Sequence, residues 1–491
     1  MITDAQYAKW LVDPTAIRIT LIELGVNSSG TEITRYLATD GYVTSAADTP
    51  ANTSYSPCVS VGIKVTEVLP ISGSARISFG DVEILNLAGE RDSWFKDIWV
   101  NRPLKAWIGD PRWARSDFRM IFNGIALDIS ASKRDRLNIK ILDKLQLLNT
   151  AISDTKLGGT TPNKDQVLPL TFGEVHNISP LLTNPATLEF QVHNGPIEGT
   201  FEVRDNGVPV TATLNNATGK FTLAVNPAGQ ITASVQGDKP AGVYYNTISQ
   251  IIQRLALGYG KIATRLTVAD LDTTNLAAFD SAHPQPIGLY ADARANLYQT
   301  MQQLADSVGA QVVMSRLGLL QILQINLPAI GTPISIPISQ QIDRTIEVVS
   351  RTVVYAAQKV GYCKNWTLQP GLQTNIPAQH KDLYGTEYLS VTATDTTVQS
   401  NYKLTLEPIQ QDTLLMVGTD ATTESNRRLS LYKVTRTIYR FEMTAAGLLL
   451  VLGQAVTLYS NRFGLSAGVL GQVIALTPDW QTGHVIVEVI I

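Results

Sequence analysis

The sequence is poor in cysteine and in charge. Its 491 residues include two cysteines, Cys58 and Cys363, which lie too far apart in sequence to suggest a disulfide framework or a C-x-x-C metal site. Charged residues make up 16% of the chain, and 39 basic against 42 acidic residues leave a net charge of -3. An ordinary soluble protein has about 25% charged residues. The near balance of charge argues against a basic surface for nucleic acid or membrane.

The low content of charged residues has two possible interpretations. A surface poor in charge is typical of an assembly subunit, because the cores of interfaces are depleted of charged residues. The alternative is a monomer whose surface is rich in Ser, Thr, Asn and Gln. In either case the chain is long enough for about three or four domains of roughly 100–200 residues each.

Long apolar segments are missing as well. The apolar run at 445–456 is short and broken by glycine, so we expect no transmembrane segment. The first six residues carry no basic stretch before an apolar core. We therefore expect no secretory signal, and synthesis in a cytosol-like compartment.

The sequence also lacks the motifs of common active sites. Its five histidines do not pair at metal-ligand spacing, and there is no H-E-x-x-H, G-x-S-x-G or Walker A segment. His193 and His484 stand beside turns, where we expect structural roles. We predict no catalytic residue, no metal ligand, no cofactor and no enzymatic activity.

Two groups of residues bear on sugar chemistry. Glycoside cleavage needs two carboxyl groups about 5 to 9 Å apart, and the candidates are Glu174, Glu189, Glu198 and Glu202. We favour ion-paired or solvated surface acids for these four. A group of tryptophans could contact carbohydrate, but their spacing favours core and interface anchors; the group is Trp94, Trp99, Trp107 and Trp113.

The clearest positive signal is a pattern that occurs near both ends of the chain. Each occurrence has a β-like stretch, a loop, a second stretch that begins at or near a glycine, a polar turn, and a closing stretch of alternating character. The first set covers 102–108, 122–129 and 135–141, and the second covers 453–459, 470–476 and 484–490. Two similar β modules in one chain can present two similar surfaces to neighbours, as the subunits of a ring do.

Between the two sets the pattern is β-like with two helical islands. Turn-punctuated short stretches at 188–235 predict a small β unit. Apolar stripes predict helices at 245–257 and 296–308, the second followed by a hairpin over 310–325. Further predicted strands lie at 16–24, 32–37, 61–69, 75–85, 352–356, 359–367 and 431–441.

Three passages resemble the tail hub proteins of bacteriophages. The first resembles their first tube-type barrel, the second their middle domain, and the third their second barrel. These passages are Arg119–Ala126 with Leu137–Asp143, Pro286–Tyr290 with 296–325, and Gly468–Ile474 with Pro478–Gly483 and the last strand. Together they cover most of the chain outside about 188–236.

The resemblance implies a mainly β, multidomain chain with an α/β middle. It should hold two tube-type β-barrel domains and a small inserted β domain. We expect the first barrel at 1–150, a linker and the inserted domain at 151–240, the α/β middle at 241–345, and the second barrel at 346–491.

The resemblance also implies a function. The chain would be a structural virion protein, a homotrimeric tail-tip or baseplate hub that closes or extends the tail tube. It would adapt the sixfold symmetry of the tube to a threefold tip around the DNA channel, with roles in DNA ejection and host cell entry. The expected location is the virion tail tip, after assembly in the host bacterial cytoplasm.

The expected partners are further copies of the chain, the tail tube or distal tail protein above, and tip, spike or fibre proteins below. DNA would pass through the channel without sequence-specific binding. The predicted interface strands are 102–108, 122–129, 454–459 and 470–476. The alternative is a tail adhesin that binds or depolymerises host-surface carbohydrate, and against it stands the absence of short β-helix repeats.

Overall fold

The computed structural model describes residues 2–71, 78–369, 372 and 376–491. Within these residues the chain is mainly β, as predicted, with 29 strands and seven α-helices. The helices are α1 (Asp4–Val12), α2 (Ile248–Gly258), α3 (Thr273–Ala282), α4 (Leu297–Asp306), α5 (Ala378–Gly385), α6 (Thr396–Tyr402) and α7 (Gly418–Tyr432).

The strands of the first half of the chain are β1 (Ile19–Ser28), β2 (Thr31–Ala38), β3 (Tyr42–Val43), β4 (Ser54–Pro57), β5 (Val59–Val68), β6 (Phe79–Leu85), β7 (Arg102–Gly109), β8 (Arg119–Lys133), β9 (Arg136–Leu142), β10 (Leu170–Ile178), β11 (Leu181–Asn184), β12 (Glu189–Gln191), β13 (Ile197–Asp205), β14 (Val208–Pro209), β15 (Ala212–Asn215), β16 (Lys220–Leu223) and β17 (Ile231–Asp238).

Those of the second half are β18 (Gly288–Ala291), β19 (Ala310–Met314), β20 (Leu320–Gln324), β21 (Ile334–Ile336), β22 (Glu347–Arg351), β23 (Ala357–Tyr362), β24 (Leu389–Thr394), β25 (Gln410–Asp412), β26 (Thr437–Met443), β27 (Ala455–Leu458), β28 (Val469–Asp479) and β29 (His484–Ile490).

The chain divides into two compact units, each built from segments distant in sequence. Unit 1 comprises Met1–Leu147, Gln311–Thr352 and Arg436–Ile491, and unit 2 comprises Leu148–Ala310 and Val353–Thr435. Unit 1 therefore contains both sets of the strand pattern read from the sequence. The finer division into four domains stays a prediction.

One large sheet dominates unit 1. Its strand order is β22-β26-β29-β28-β5-β6-β9-β8-β7-β1-β2-β4-β3, and β27 pairs with both β28 and β21. Alternating Val, Ile and Leu residues from both ends of the chain fill one shared apolar core, as expected when one face of each strand is buried. The helix α1 begins at a capping box formed by Thr3 and Gln6.

Unit 2 combines a small β sandwich with helices. The sheets β14-β13-β17-β10-β18 and β11-β12-β16-β15 contribute to one core that includes Val175, Phe190, Phe221 and Val235. The predicted helices over 245–257 and 296–308 are present as α2 and α4, each with a buried apolar stripe. Alternation and apolar periodicity were sufficient to find these elements.

Other elements differ from the sequence expectations. The helix α7 lies where no helix was predicted, because its buried residues include the polar Glu424, Ser425 and Arg428 besides a few apolar ones. No helix or strand was predicted between residues 367 and 406, where the structure has α5, β24 and α6. The predicted strand at 75–85 is present as β6, while 75–77 lie outside the described residues.

Candidate assembly interface

The two sets of the strand pattern form two antiparallel meanders. In the first, β7 pairs with β8 and β8 with β9. In the second, β27 pairs with β28 and β28 with β29. The similarity predicted from the sequence is therefore a similarity of strand pairing.

Each meander continues into a further pair of strands in the same order. We define the first module as β5-β6-β9-β8-β7 and the second module as β22-β26-β29-β28-β27. All pairs in both modules are antiparallel. A short 3-10 helix also lies in the link to the fifth strand of each, at Asp92–Lys96 and at Ala445–Leu449.

A β-bulge marks the same position in both modules. The pairing of β8 with β9 skips Leu127, three residues after Gly124. The pairing of β28 with β29 skips Ile474, three residues after Gly471. A bulge shifts the register by one residue and bends its strand. Because each bulge lies three residues after the glycine of its strand, the two bulges show which residues of the two modules correspond.

The two glycines meet equivalent backbone atoms. A Cβ on Gly471 would lie 2.7 Å from the carbonyl oxygen of Ile490, and one on Gly124 would lie closer still to the carbonyl oxygen of Leu142. Leu142 and Ile490 occupy the same place in their ladders, each opposite the residue after its glycine. Both positions need glycine because a neighbouring strand passes so closely.

The modules are joined by a strand pair that we call the closed seam. In it β5 of the first module pairs antiparallel with the second half of β28, with Val68 opposite Ala475 and Glu67 opposite Leu476. The amide of Leu69 donates to the carbonyl of Ile474 at 2.7 Å. The closed seam makes the two modules parts of one continuous sheet.

Two side-chain pairs cross the closed seam. The hydroxyls of Thr66 and Thr477 lie 3.2 Å apart and share a hydrogen bond. The ammonium of Lys64 lies 3.2 Å from the carboxylate of Asp479, and both side chains are partly exposed. Such cross-strand pairs fix register as well as adding stability.

Buried carboxyl groups lie in and near the closed seam. Glu67 on β5 is fully buried; burial raises its pKa, and the guanidinium of Arg316, 3.6 Å away, opposes that rise. Burial also raises the pKa of Asp143, just after β9, to about 7, although the amides of Ser78 and Leu145 donate to its carboxyl. The charge of Glu67 adds to the rise at Asp143. Burial is thus the main cause of the upward pKa shift of both acids.

The predicted interface strands lie within this sheet. The segments 102–108 and 122–129 fall on β7 and β8, and 454–459 and 470–476 fall on β27 and β28. The last of them enters the closed seam through Ala475 and Leu476. The sequence did not single out β5 or β22, the strands at the outer edges of the modules, because edge position depends on pairing between distant segments.

The residues considered for sugar chemistry have structural environments. Three of the candidate glutamates form ion pairs, as expected for surface acids: Glu189 with Lys220, Glu198 with Lys239 and Glu202 with Arg204. The fourth, Glu174, lies 3.1 Å from Nε2 of His176. Trp94, Trp99 and Trp107 are buried, and Trp113 packs against the cluster that contains Trp107. A groove of about 610 Å³ in unit 2, lined by Asn163, Tyr290, Asp292, Arg294 and others, has Asp292 as its single acidic lining residue.

The histidines next to turns are also held structurally. His193 is buried; its Nδ1 accepts from the amide of Thr171, and its Nε2 lies 3.3 Å from Asp238. His484 is exposed, with Nδ1 2.9 Å from Glu442. Over the described ranges no three or more His, Cys, Asp or Glu residues gather as a potential metal site. In the same ranges no helix is long and apolar enough to cross a membrane.

Neither a family model nor a curated protein matches this chain. Solved structures do resemble it. They include the 43 kDa tail protein of prophage MuSo2 from Shewanella oneidensis, with TM-score 0.40, 9% identity, and coverage of 96% of this chain and 98% of that chain. A tail protein from Neisseria meningitidis MC58 has TM-score 0.38, 9% identity and 96% coverage of both chains.

A third similar structure is prophage tail protein gp18 from Listeria monocytogenes EGD-e, with TM-score 0.42, 9% identity, and coverage of 96% of this chain and 94% of that chain. All three descriptions name tail proteins, the class that the sequence resembles. Since the TM-scores are below 0.5, the likeness by itself carries no conclusion about function.

Proposed function

We propose that this chain is a structural virion protein of a phage-type tail, a homotrimeric tail-tip or baseplate hub. The observation that carries the proposal is the internal duplication. One chain holds two five-stranded modules with the same strand order, the same bulge position and the same close glycine. A closed seam joins them into one sheet.

Duplication suits a ring that changes symmetry. Two modules in each of three copies supply six similar positions, whereas the chain itself repeats three times. A sixfold tube could then contact six similar surfaces, and a threefold tip could contact three identical ones. Head-to-tail contacts of this kind close into a ring when the rotation between neighbours is right.

Strand edges support the same proposal. An exposed edge presents unpaired amides and carbonyls to other chains, and natural proteins cover or pair such edges. The closed seam pairs one edge of the first module within the chain. In a ring the remaining edges would be paired by neighbouring copies.

The overall charge fits a passage for DNA. A strongly basic wall would bind phosphates and slow a moving polymer, because each phosphate contact adds affinity. The net charge of -3 on 491 residues avoids that. We place the protein at the tail tip, between tube or distal tail protein on one side and tip, spike or fibre proteins on the other.

The rival function is a tail adhesin that binds or depolymerises carbohydrate. It requires exposed aromatic side chains over a cleft or two carboxyl groups across one. Three of the four clustered tryptophans are buried, three of the four candidate glutamates are ion-paired, and the fourth, Glu174, contacts His176. These environments favour the structural role.

Native mass measurement of the purified full chain tests the proposal. We expect a species with three times the mass of the 53.4 kDa chain, and larger assemblies when tail-tube protein is added. The rival predicts a species that binds host polysaccharide or shortens it. A stable monomer that cleaves polysaccharide would contradict the hub function.

A further inference from the structure

The two modules differ in what lies beside their first strand. In the first module, β5 is covered by the second half of β28, which forms the closed seam. By module equivalence, β22 takes the place of β5 and β8 takes the place of β28. A second seam of the same kind would therefore join β22 to the second half of β8.

Within the ranges that the structure describes, both of these edges are uncovered. All five residues of β22 are exposed, including Val348 at 41% and Val349 at 40%, and β26 is its one strand partner among the described residues. On β8, pairing with β7 ends at Ala126. Across the described parts of the chain, no strand pairs with 128–133 on that side.

The pairings within each module show which residues of β5 and β22 correspond. Lys140 and Glu488 are each the first residue of their strand to pair beyond the bulge. Asp81 pairs with Lys140, and Arg440 pairs with Glu488. Lys64 in turn lies opposite Asp81, as Glu347 lies opposite Arg440. Glu347 is therefore the counterpart of Lys64.

The other side of the seam is matched in the same way. Arg136 and His484 are each four residues before the reference residue of their strand, Lys140 or Glu488. Lys133 pairs with Arg136, and Asp479 pairs with His484. Lys133 is therefore the counterpart of Asp479.

The charges at the corresponding positions are opposite in sign in the two modules. The closed seam has a cation on β5 and an anion on β28, Lys64 and Asp479. The matching positions have an anion on β22 and a cation on β8, Glu347 and Lys133. Both are exposed, and the ion pairs that they form with other described residues, Lys133 with Glu83 and Glu347 with Arg440, are long at 3.6 Å. The signs are again opposite, so the uncovered edges are complementary.

The hydroxyl pair is preserved as well. Ser350 is the counterpart of Thr66, and Ser130 is the counterpart of Thr477. Relative to the closed seam, β22 has one extra residue between its two marked positions, and β8 also has one extra. Because the two insertions are equal, both the serine pair and the charged pair fit one antiparallel register without a gap.

At the uncovered edge of β8, a side chain accepts a hydrogen bond from a backbone amide that a neighbouring strand would otherwise accept. The amide of Ile129 donates to the carboxylate of Asp128, 2.8 Å away. The counterpart of Ile129 in the closed seam is Leu476, which lies opposite a residue of β5. The exposed carboxylate of Asp128 thus accepts from the amide of Ile129, and a carbonyl of a neighbouring strand can take its place.

We propose that β22 of one copy pairs antiparallel with residues 128–133 of the next copy, with Ser350 opposite Ser130 and Glu347 opposite Lys133. We call this contact the open seam. The occupant is a second copy of this chain, because the contact repeats one that the chain already makes with itself. The proposal rests on the proposed function and adds the strands, direction and register of the contact.

Disulfide trapping in the full chain tests the register. Ser130→Cys with Ser350→Cys places two thiols directly opposite, within the reach of a disulfide. Under mild oxidation we expect covalent dimers and trimers. The control pair, Ser130→Cys with Glu347→Cys, is displaced by three residues, about 10 Å along the strand, and should give few cross-links. More cross-linking from the control pair than from the matched pair would overturn the register.

Charge reversal provides a test without cysteine. Glu347→Lys should raise the concentration for half-assembly about tenfold by facing Lys133, and adding Lys133→Glu should restore assembly. Val225→Lys, at a valine 75% exposed in unit 2, is the matched control and should change nothing. Trimers that assemble equally well with the charge changes and that give no cross-link with the matched cysteine pair would refute the open seam. That result would leave the proposed hub function intact. Wild-type protein that stays monomeric at every concentration would contradict both.

Discussion

The two modules of unit 1 share a fold and differ at their edges. The first module covers its edge strand within the chain and buries Glu67 there. The second module leaves the matching strand, β22, exposed along its whole length. One module thus shows a completed contact, and the other shows the same contact without a neighbour.

The reversed charges have a consequence for the order of modules. If two first modules met, Lys133 would face Lys64; if two second modules met, Asp479 would face Glu347. Like charges at a contact disfavour the wrong partner. Only alternation of first and second modules pairs opposite charges at every seam, which is the order that a ring of identical chains needs.

The largest expected effect is a loss of folding stability when the equivalent glycines of the two modules are replaced. Gly124→Val and Gly471→Val should each cost about 3 kcal/mol or more, because the new side chain meets the carbonyl of a paired strand. Gly124 should be the more sensitive, since buried Phe122 also lies 2.5 Å from its added Cβ. Urea unfolding monitored by circular dichroism measures the loss.

The control for the glycine prediction is Gly199→Val on β13, where an added Cβ meets no atom within 4 Å. It should change stability by less than about 1 kcal/mol. Equal losses at 199 and at the module glycines would show that strand glycines in general are sensitive, and would remove this support for the duplication.

A medium effect concerns the buried acids near the closed seam. Asp143 has a folded-state pKa of about 7, above its ordinary value of 3.8, so the folded protein holds a proton that the unfolded chain releases. Stability should therefore fall as pH rises from about 5 to 8, by about 2 kcal/mol or more. In Asp143→Asn this fall should be much smaller.

Urea unfolding at pH 5 and pH 8 measures the pH effect in both proteins. The control is Asp135→Asn, at an exposed acid in the turn before β9, which should keep the wild-type dependence. The same dependence in Asp143→Asn as in wild type would contradict the buried, protonated state of Asp143.

The smallest effect concerns the charged pair of the closed seam. Lys64→Glu places an anion beside Asp479 and should cost about 0.5–1 kcal/mol, because both side chains are partly exposed. Lys64→Met should cost less, since it removes attraction without adding repulsion. Thermal unfolding at low and high salt checks this, and a loss that salt does not reduce would exclude an electrostatic cause.

Sequence patterns predicted the local part of this account. Alternation around Gly124 and Gly471 showed the two similar strand sets, and apolar stripes located α2 and α4. The closed seam could not be predicted, because it pairs β5 with β28 across more than 400 residues of sequence. The correspondence of Lys64 with Glu347 could be established only from the strand pairing, because the β5–β6 and β22–β26 pairings shift register at different places.

Electron microscopy of the purified full chain tests the central claim most directly. We expect closed rings of three copies with six similar densities around a channel, and β22 of each copy beside β8 of the next. Monomers at every concentration, or twofold dimers in which β22 stays uncovered, would contradict the account.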